Sequence, residues 1–285
     1  GGVAAVVMTG FVALSQFEVG QPNTVGDRSG VKVAGNATPA GRSEHLPGEV
    51  VIPSTNGIAI PLGISKADPS FVERALLADG ELPEREKFKI ADWVNLGVVK
   101  FEPSVVMTDL EAYSEGGPCP WDSTKSLWMV IFRPGDGRMI SPAAKVVFDP
   151  ELVVSAQLLG GCETRKTGPL KSKEFNSSQI FLYELDTKKE GHQLGGVSIT
   201  TQRGESGYVP IHSPRQAQQS NTVGFRTAVV LGGFARWAAS DSREEKTLVL
   251  LAREARDLIS CEEVTDVSCR YALDVILQSE ETLNR

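Results

Sequence analysis

The sequence predicts an α+β fold: an antiparallel β-sandwich with amphipathic helices and a C-terminal helical layer. Short β-like runs follow one another through the middle of the chain, separated by turn residues rather than by long helices. That order favours antiparallel pairing over a doubly wound sheet. The C-terminal part instead repeats apolar residues at helical spacing. Over 285 residues, 41% are hydrophobic and 23% charged, enough apolar material to bury a core and too little charge for a disordered chain.

The elements can be taken in order. Gly48–Ile52 and Gly57–Ile60 read as short strands around a Pro-Ser-Thr-Asn turn. Asp68–Pro69 supplies an N-cap and a proline at the first helical position, and Phe71, Val72, Ala75 and Leu76 follow at helical spacing until Gly80. Pro83 is expected to open a second helix carrying Ile90, Trp93 and Val94 on one face, ending before Gly97. Strands are then expected at Val105–Met107, Ser126–Phe132, Ala144–Phe148, Val153–Leu159, Ile180–Leu185 and Gly196–Thr201. Turn chemistry separates them at Pro134-Gly135-Asp136-Gly137, Thr167-Gly168-Pro169 and Arg203-Gly204-Glu205-Ser206-Gly207. The loop 133–141 is expected to be a tight surface connection. Val223–Ala239 reads as an apolar helix, and Leu248, Leu251, Ala252, Ala255 and Leu258 as an amphipathic one capped by Asp241–Ser242. Tyr271, Ala272, Val275 and Ile276 mark a third.

The ends bear on compartment. No charge occurs before Glu18, so Gly1–Phe17 is an apolar foot, about 14 residues of which would span roughly 21 Å as a helix against a hydrocarbon core of about 30 Å. Residues 20–48 are rich in Gly, Pro, Asn, Ser and Thr and read as a tether. The expected organisation is a membrane-proximal segment (1–19), a flexible tether (20–48), a β-sandwich with two inserted helices (49–212) and a helical region packed on it (213–285). Val3, Val6, Val7, Phe11 and Leu14 are the expected membrane or partner contacts. The competing reading makes the foot a strand or core helix of the domain. Of the four cysteines, Cys261 and Cys269 flank an acidic stretch between helices, where a disulfide fits; the competing reading is four buried thiols.

Chemistry-bearing motifs are few. A net charge of −7 lacks the basic stripe that nucleic acid requires, and only three histidines are present. No phosphate-cradling glycine loop, zinc-ligand spacing or C-x-x-C-H occurs, so no cofactor, metal or catalytic residue is assigned. Gly204-Glu205-Ser206-Gly207 lacks the nucleophile-elbow spacing and reads as a hairpin turn. His192 has no local Ser, Cys or carboxylate partner. The basic residues Arg165, Lys166, Lys171, Lys173, Lys188 and Lys189 read as a solvated loop or a contact for an acidic partner.

Several local patterns, in order, resemble the regions flanking the A domain in bacterial exported von Willebrand factor type A domain proteins. Asp68–Arg74 with Gly80-Glu81-Leu82-Pro83, Ile90–Asn95 and Pro118-Cys119-Pro120-Trp121 are similar to the first flank. Phe148-Asp149-Pro150, Leu158–Arg165, Asp186–His192, Phe225–Ala239 and Leu248–Arg256 are similar to the second. The A domain itself is missing: only thirteen residues separate Phe132 from Val146, and its Asp-x-Ser-x-Ser metal motif is absent. The resemblance therefore implies a retained framework without the ligand-binding domain.

The resulting expectation is a non-catalytic scaffold or accessory subunit. It would be held by its N-terminus on the extracytoplasmic, periplasmic side of a membrane and dock on protein subunits of a membrane complex, with no nucleic acid bound. The alternatives are a hydrolase using Ser206 or His192 and a soluble small-molecule or peptide-binding module.

Overall fold

Asp68 caps the first helix as its sequence predicts. Its carboxylate accepts from the Ser70 amide at 3.1 Å, Pro69 takes the first helical position, and Gly80 closes the last turn at φ +67°. This computed structural model describes residues 50–53, 58–59, 66–97, 101–135, 142–159, 178–188, 193–212 and 221–284. The chain divides into Gly1–Ser43, which lies outside the described residues, and Glu44–Arg285, which contains every element below.

Ten strands and five α-helices occur among the described residues: β1 (Val50–Pro53), β2 (Ile58–Ala59), α1 (Pro69–Asp79), α2 (Ile90–Val94), β3 (Val105–Val106), β4 (Leu110–Pro118), β5 (Lys125–Pro134), β6 (Ala143–Phe148), β7 (Val153–Leu159), β8 (Gln179–Thr187), β9 (Gln193–Thr200), β10 (Ser206–His212), α3 (Val223–Ala239), α4 (Glu245–Ile259) and α5 (Val267–Leu283). They form a six-stranded sheet, β1-β7-β8-β5-β4-β3, and a four-stranded sheet, β10-β9-β6-β2. Every pairing is antiparallel. The fold is α+β with a C-terminal helical layer, as the sequence predicts.

The layers follow from side-chain alternation in the central strands. In β5, Trp128, Val130 and Phe132 face the four-stranded sheet, whereas Leu127, Met129 and Ile131 face the helices. In β8, Phe181, Tyr183 and Leu185 point to the sandwich, and Ile180 and Leu182 to the helices. A strand buried on both faces must be apolar throughout, which explains the unbroken run Leu127–Phe132. The order is therefore helices, large sheet, small sheet. Each fully buried Leu, Ile or Phe in these layers contributes about 1.5–3 kcal/mol.

Several expectations are corrected. The segment opened by Pro83 does not continue as one helix: a 3-10 turn at Arg85–Lys87 precedes α2, which is only five residues long. Asp241–Ser242 does not cap α4. Glu244 occupies the cap position without a side-chain bond, while Asp241 pairs with Arg85. β4 and β10, neither of them expected, complete the sheets. The helices α1 and α2 share one apolar cluster with α3, α4 and α5. The loop 133–141 lies mostly outside the described residues. Its first part is fixed where the Gly135 amide bonds to the Asp109 carbonyl at 2.8 Å.

Candidate functional site

A cluster of charged groups lies between the large sheet and α3. Glu184, on the helix-facing side of β8, has a side chain only 2% exposed. Its Oε2 accepts from Trp121 Nε1 at 3.0 Å and from Arg236 Nη1 at 2.8 Å, and its Oε1 accepts from Lys125 Nζ at 2.5 Å. The donors come from the turn after β4, the start of β5 and the last turn of α3. Arg236 also lies over the Trp121 ring, 5.9 Å from its centroid. Gly233 makes room for that ring, since a Cβ there would stand 2.6 Å from Trp121 Cζ3. Asp122 holds the turn by accepting from Thr124 N at 3.0 Å and Oγ1 at 2.6 Å; these bonds, the side-chain one first, keep its carboxyl below the usual range.

Cys119 opens this turn. Burial, and then the Glu184 charge, push its thiol up to about 12, while the backbone N–H groups of Trp121 and Asp122 act in the opposite sense. The thiol is thus held neutral, which is the reverse of what a nucleophile needs. Both Glu184 oxygens already accept from protein donors, two of them cationic. Chemically, the arrangement stores a carboxylate and locks three segments to one strand.

A second polar lock lies nearby. Asn95, fully buried after α2, accepts from the Ile180 amide through Oδ1 at 2.8 Å, and its Nδ2 donates to the Ala91 carbonyl at 2.8 Å and the Ile180 carbonyl at 3.4 Å. Among the described residues β7 pairs with β8 as far as Leu159↔Leu182, and at Ile180 the Asn95 amide makes the bonds to the backbone N–H and carbonyl. A third sits at the start of α3. Glu115 accepts from the Thr222 amide at 2.7 Å, from the Thr222 hydroxyl and from Tyr113 Oη at 2.9 Å, and Thr222 in turn caps the Phe225 amide. Burial, reinforced by Glu115, raises the Tyr113 hydroxyl well above its ordinary value.

The residues singled out in the sequence are not brought together. Ser206 begins β10, paired with Thr200, and the preceding Glu205 carboxylate is engaged by the Thr108 amide at 2.9 Å and the Thr108 hydroxyl. His192, Cys162, Asp136, Arg165, Lys166, Lys171, Lys173 and Lys189 lie outside the described residues, as do Val3, Val6, Val7, Phe11 and Leu14. Lys188 donates to the Pro150 carbonyl at 3.3 Å. Cys261 and Cys269 stand as free thiols in this structure. Cys269 is buried in the first turn of α5, whereas half-buried Cys261 donates to the Asp257 carbonyl at 3.3 Å. Burial, then Asp266, pushes the Cys269 thiol up to about 12.

Among the described residues no group of three His, Cys, Asp or Glu side chains is placed to hold a metal ion, and no helix is long and apolar enough to cross a membrane. Sequence reasoning missed Glu184 and Asn95. A signal for the first was present, because Glu184 interrupts the apolar run Ile180–Leu185 in a strand that has no solvent-facing side. Comparison with family models, curated proteins and solved structures returns no match.

Proposed function

We propose that the chain is a non-catalytic scaffold or accessory subunit that docks on a membrane protein complex from the extracytoplasmic side. One observation carries the reading: the strongest chemistry-bearing side chains are spent on joining layers. Glu184 ties α3 and the 119–125 turn to β8, Asn95 ties α2 to the same strand, and Glu115 ties the start of α3 to β4. Helices and large sheet are thereby locked into one frame, the property a docking subunit needs and a hinge-closing enzyme does not.

The resemblance to A-domain flanking regions supports the same reading. In that comparison the β5–β6 connection is where the ligand-binding domain would stand. Here the two strands that it joins, β5 and β6, belong to different sheets. The uncharged run Gly1–Phe17 supports attachment through the N-terminus. Neither argument selects a respiratory, photosynthetic or secretion assembly.

The test is affinity purification of the tagged full chain from native membranes, with mass spectrometry of what elutes with it. Stoichiometric recovery with integral membrane proteins is expected. Recovery only as a free monomer would overturn the proposal.

A further inference from the structure

The four-stranded sheet turns one face to the large sheet and the other to solvent, and the solvent face differs in chemistry from the rest of the chain. β6, β9 and β10 contain no Asp or Glu, and Lys145 is their one Lys or Arg, in a protein of net charge −7. Register places Tyr208, Ser198 and Lys145 in one row across the face, and Ser206, Thr200 and Ala143 in the next. All six are exposed.

Tyr208 is held in an unusual way. A Cβ on Gly196 would stand 2.0 Å from Tyr208 Oη, 2.1 Å from Cζ and 2.4 Å from Cε2, so the ring lies down on the bare backbone of Gly196. Its hydroxyl donates to the Gly195 carbonyl at 3.1 Å and accepts from Gln193 Nε2 at 2.8 Å. Gly195 itself has φ +152°, and a Cβ there would meet the Val147 carbonyl oxygen at 2.2 Å. The Gly-Gly pair therefore builds a seat, and the two hydrogen bonds pin the ring in it. The side chain remains 50% exposed. An aromatic side chain that lies against the sheet on one side and is half exposed turns its other π-face to water.

We propose that this face binds a strand of neutral polysaccharide, with the Tyr208 ring stacking on the C–H face of a pyranose and the Ser198, Thr200 and Lys145 side chains hydrogen-bonding its hydroxyls. Charge selects the occupant. Nucleic acid needs several cations along its path, and one lysine does not supply them. An acidic protein would meet the same shortage, and a purely apolar partner would bury the Ser198 and Thr200 hydroxyls unpaired. A neutral, hydroxyl-rich chain meets donors, acceptors and one π-face without burying a charge. The row from Tyr208 to Lys145 crosses two strand spacings, about 10 Å, roughly the length of two sugar rings. Pre-fixing the ring lowers the ordering cost of binding.

Calorimetric titration of the full chain with cellohexaose, chitohexaose and maltohexaose tests this. At least one is expected to bind with Kd of about 0.1–1 mM. Tyr208→Ala should weaken that binding about tenfold or more, while Tyr208→Phe, which keeps the π-face, stays within about threefold. Because Tyr208→Ala bares Gly196, Ser198→Glu serves as a second variant: it sets a carboxylate in the row without touching the core and should abolish binding at unchanged Tm. Absence of saturable binding to all three hexaoses, or wild-type affinity in Tyr208→Ala and Ser198→Glu, would overturn the proposal. So would a self-association seen by sedimentation that Ser198→Glu disrupts while no hexaose binds, since the face would then be covered by a second copy.

Discussion

The two faces of the large sheet are held by different physics. Toward the small sheet, β5 and β8 present Trp128, Val130, Phe132, Phe181, Tyr183 and Leu185 to an apolar cluster, with Gln179 buried at the end of the same side of β8. Polar links between the two sheets lie at its rim, where Ser114 Oγ donates to the Pro210 carbonyl and Thr108 meets Glu205. Toward the helices the same two strands meet an apolar cluster that also encloses Glu184 and Asn95. Two sheets in register pack face to face without further instruction, because alternation already fixes which side chains meet. Helices of different lengths on a sheet have more ways to slide. The buried carboxylate and amide allow one placement, because any other leaves charges and a backbone pair unsatisfied.

The sharpest way to break this contrast is Glu184→Ala. Leaving the Arg236 and Lys125 side chains, 26% and 28% exposed, without their buried carboxylate is expected to cost about 3 kcal/mol. Urea unfolding measures it. A loss below about 1 kcal/mol would show that the interface does not depend on the charge cluster. Asn95→Ala comes next. It strips the Ile180 amide of a buried partner and should cost about 2–3 kcal/mol, with faster hydrogen exchange at Ile180 than at Leu182. Asn95→Asp should cost no less, since the carboxylate cannot donate to the Ala91 carbonyl.

How much of this was legible follows from the same contrast. α1 was readable because Asp68, Pro69 and Gly80 act locally, and β5 and β8 because a two-sided strand is continuously apolar. β4 was missed because only Leu110 and Ala112 of Leu110–Pro118 face the sandwich core, while Glu111, Ser114, Gly116 and Gly117 lower its β propensity. β10 was hidden by Pro210, which the sheet tolerates because β10 is an edge strand. The Glu184 cluster joins residues 63 and 52 positions apart, and no local spacing announces that. Cys261 and Cys269 are close in sequence, and the first turn of α5 directs Cys269 into the core.

Thiol chemistry sharpens the contrast at moderate effect. A thiol with a raised folded pKa keeps its proton while the unfolded chain begins to lose its own near pH 9. Stability tied to Cys119 and Cys269 is therefore complete below that pH and declines as pH rises towards about 12. Alkylation with iodoacetamide at about pH 8.5, mapped by mass spectrometry, should label Cys261 well ahead of Cys119 and Cys269. Equal labelling of all three would place Cys119 outside the charged interface. Thr222→Ala should cost about 1 kcal/mol by removing the cap on Phe225 and one bond to Glu115, read as a shift in the urea midpoint.

The smallest effect is the most discriminating, because one substitution can be made on both faces of the sheet. Trp121 Nε1 donates to the Glu184 carboxylate, whereas Trp128 Nε1 is buried with no hydrogen-bond partner among the described residues. Trp128 packs against Tyr183 at 5.4 Å and edge-on to Phe148 at 6.2 Å between ring centroids, so its contribution is area and ring contact. Trp121→Phe removes a bond to a charged acceptor and should cost about 1.5–3 kcal/mol. Trp128→Phe loses part of a ring in a packed core, a cost of about 1–2 kcal/mol, but it also removes an N–H whose desolvation was uncompensated, a gain of similar size. The net change should lie within about 1 kcal/mol of zero. Equilibrium unfolding of both variants under one set of conditions decides the matter. If Trp128→Phe proves as damaging as Trp121→Phe, the sandwich core has a polar requirement of its own, and the division between a dry interface and a charge-locked one fails.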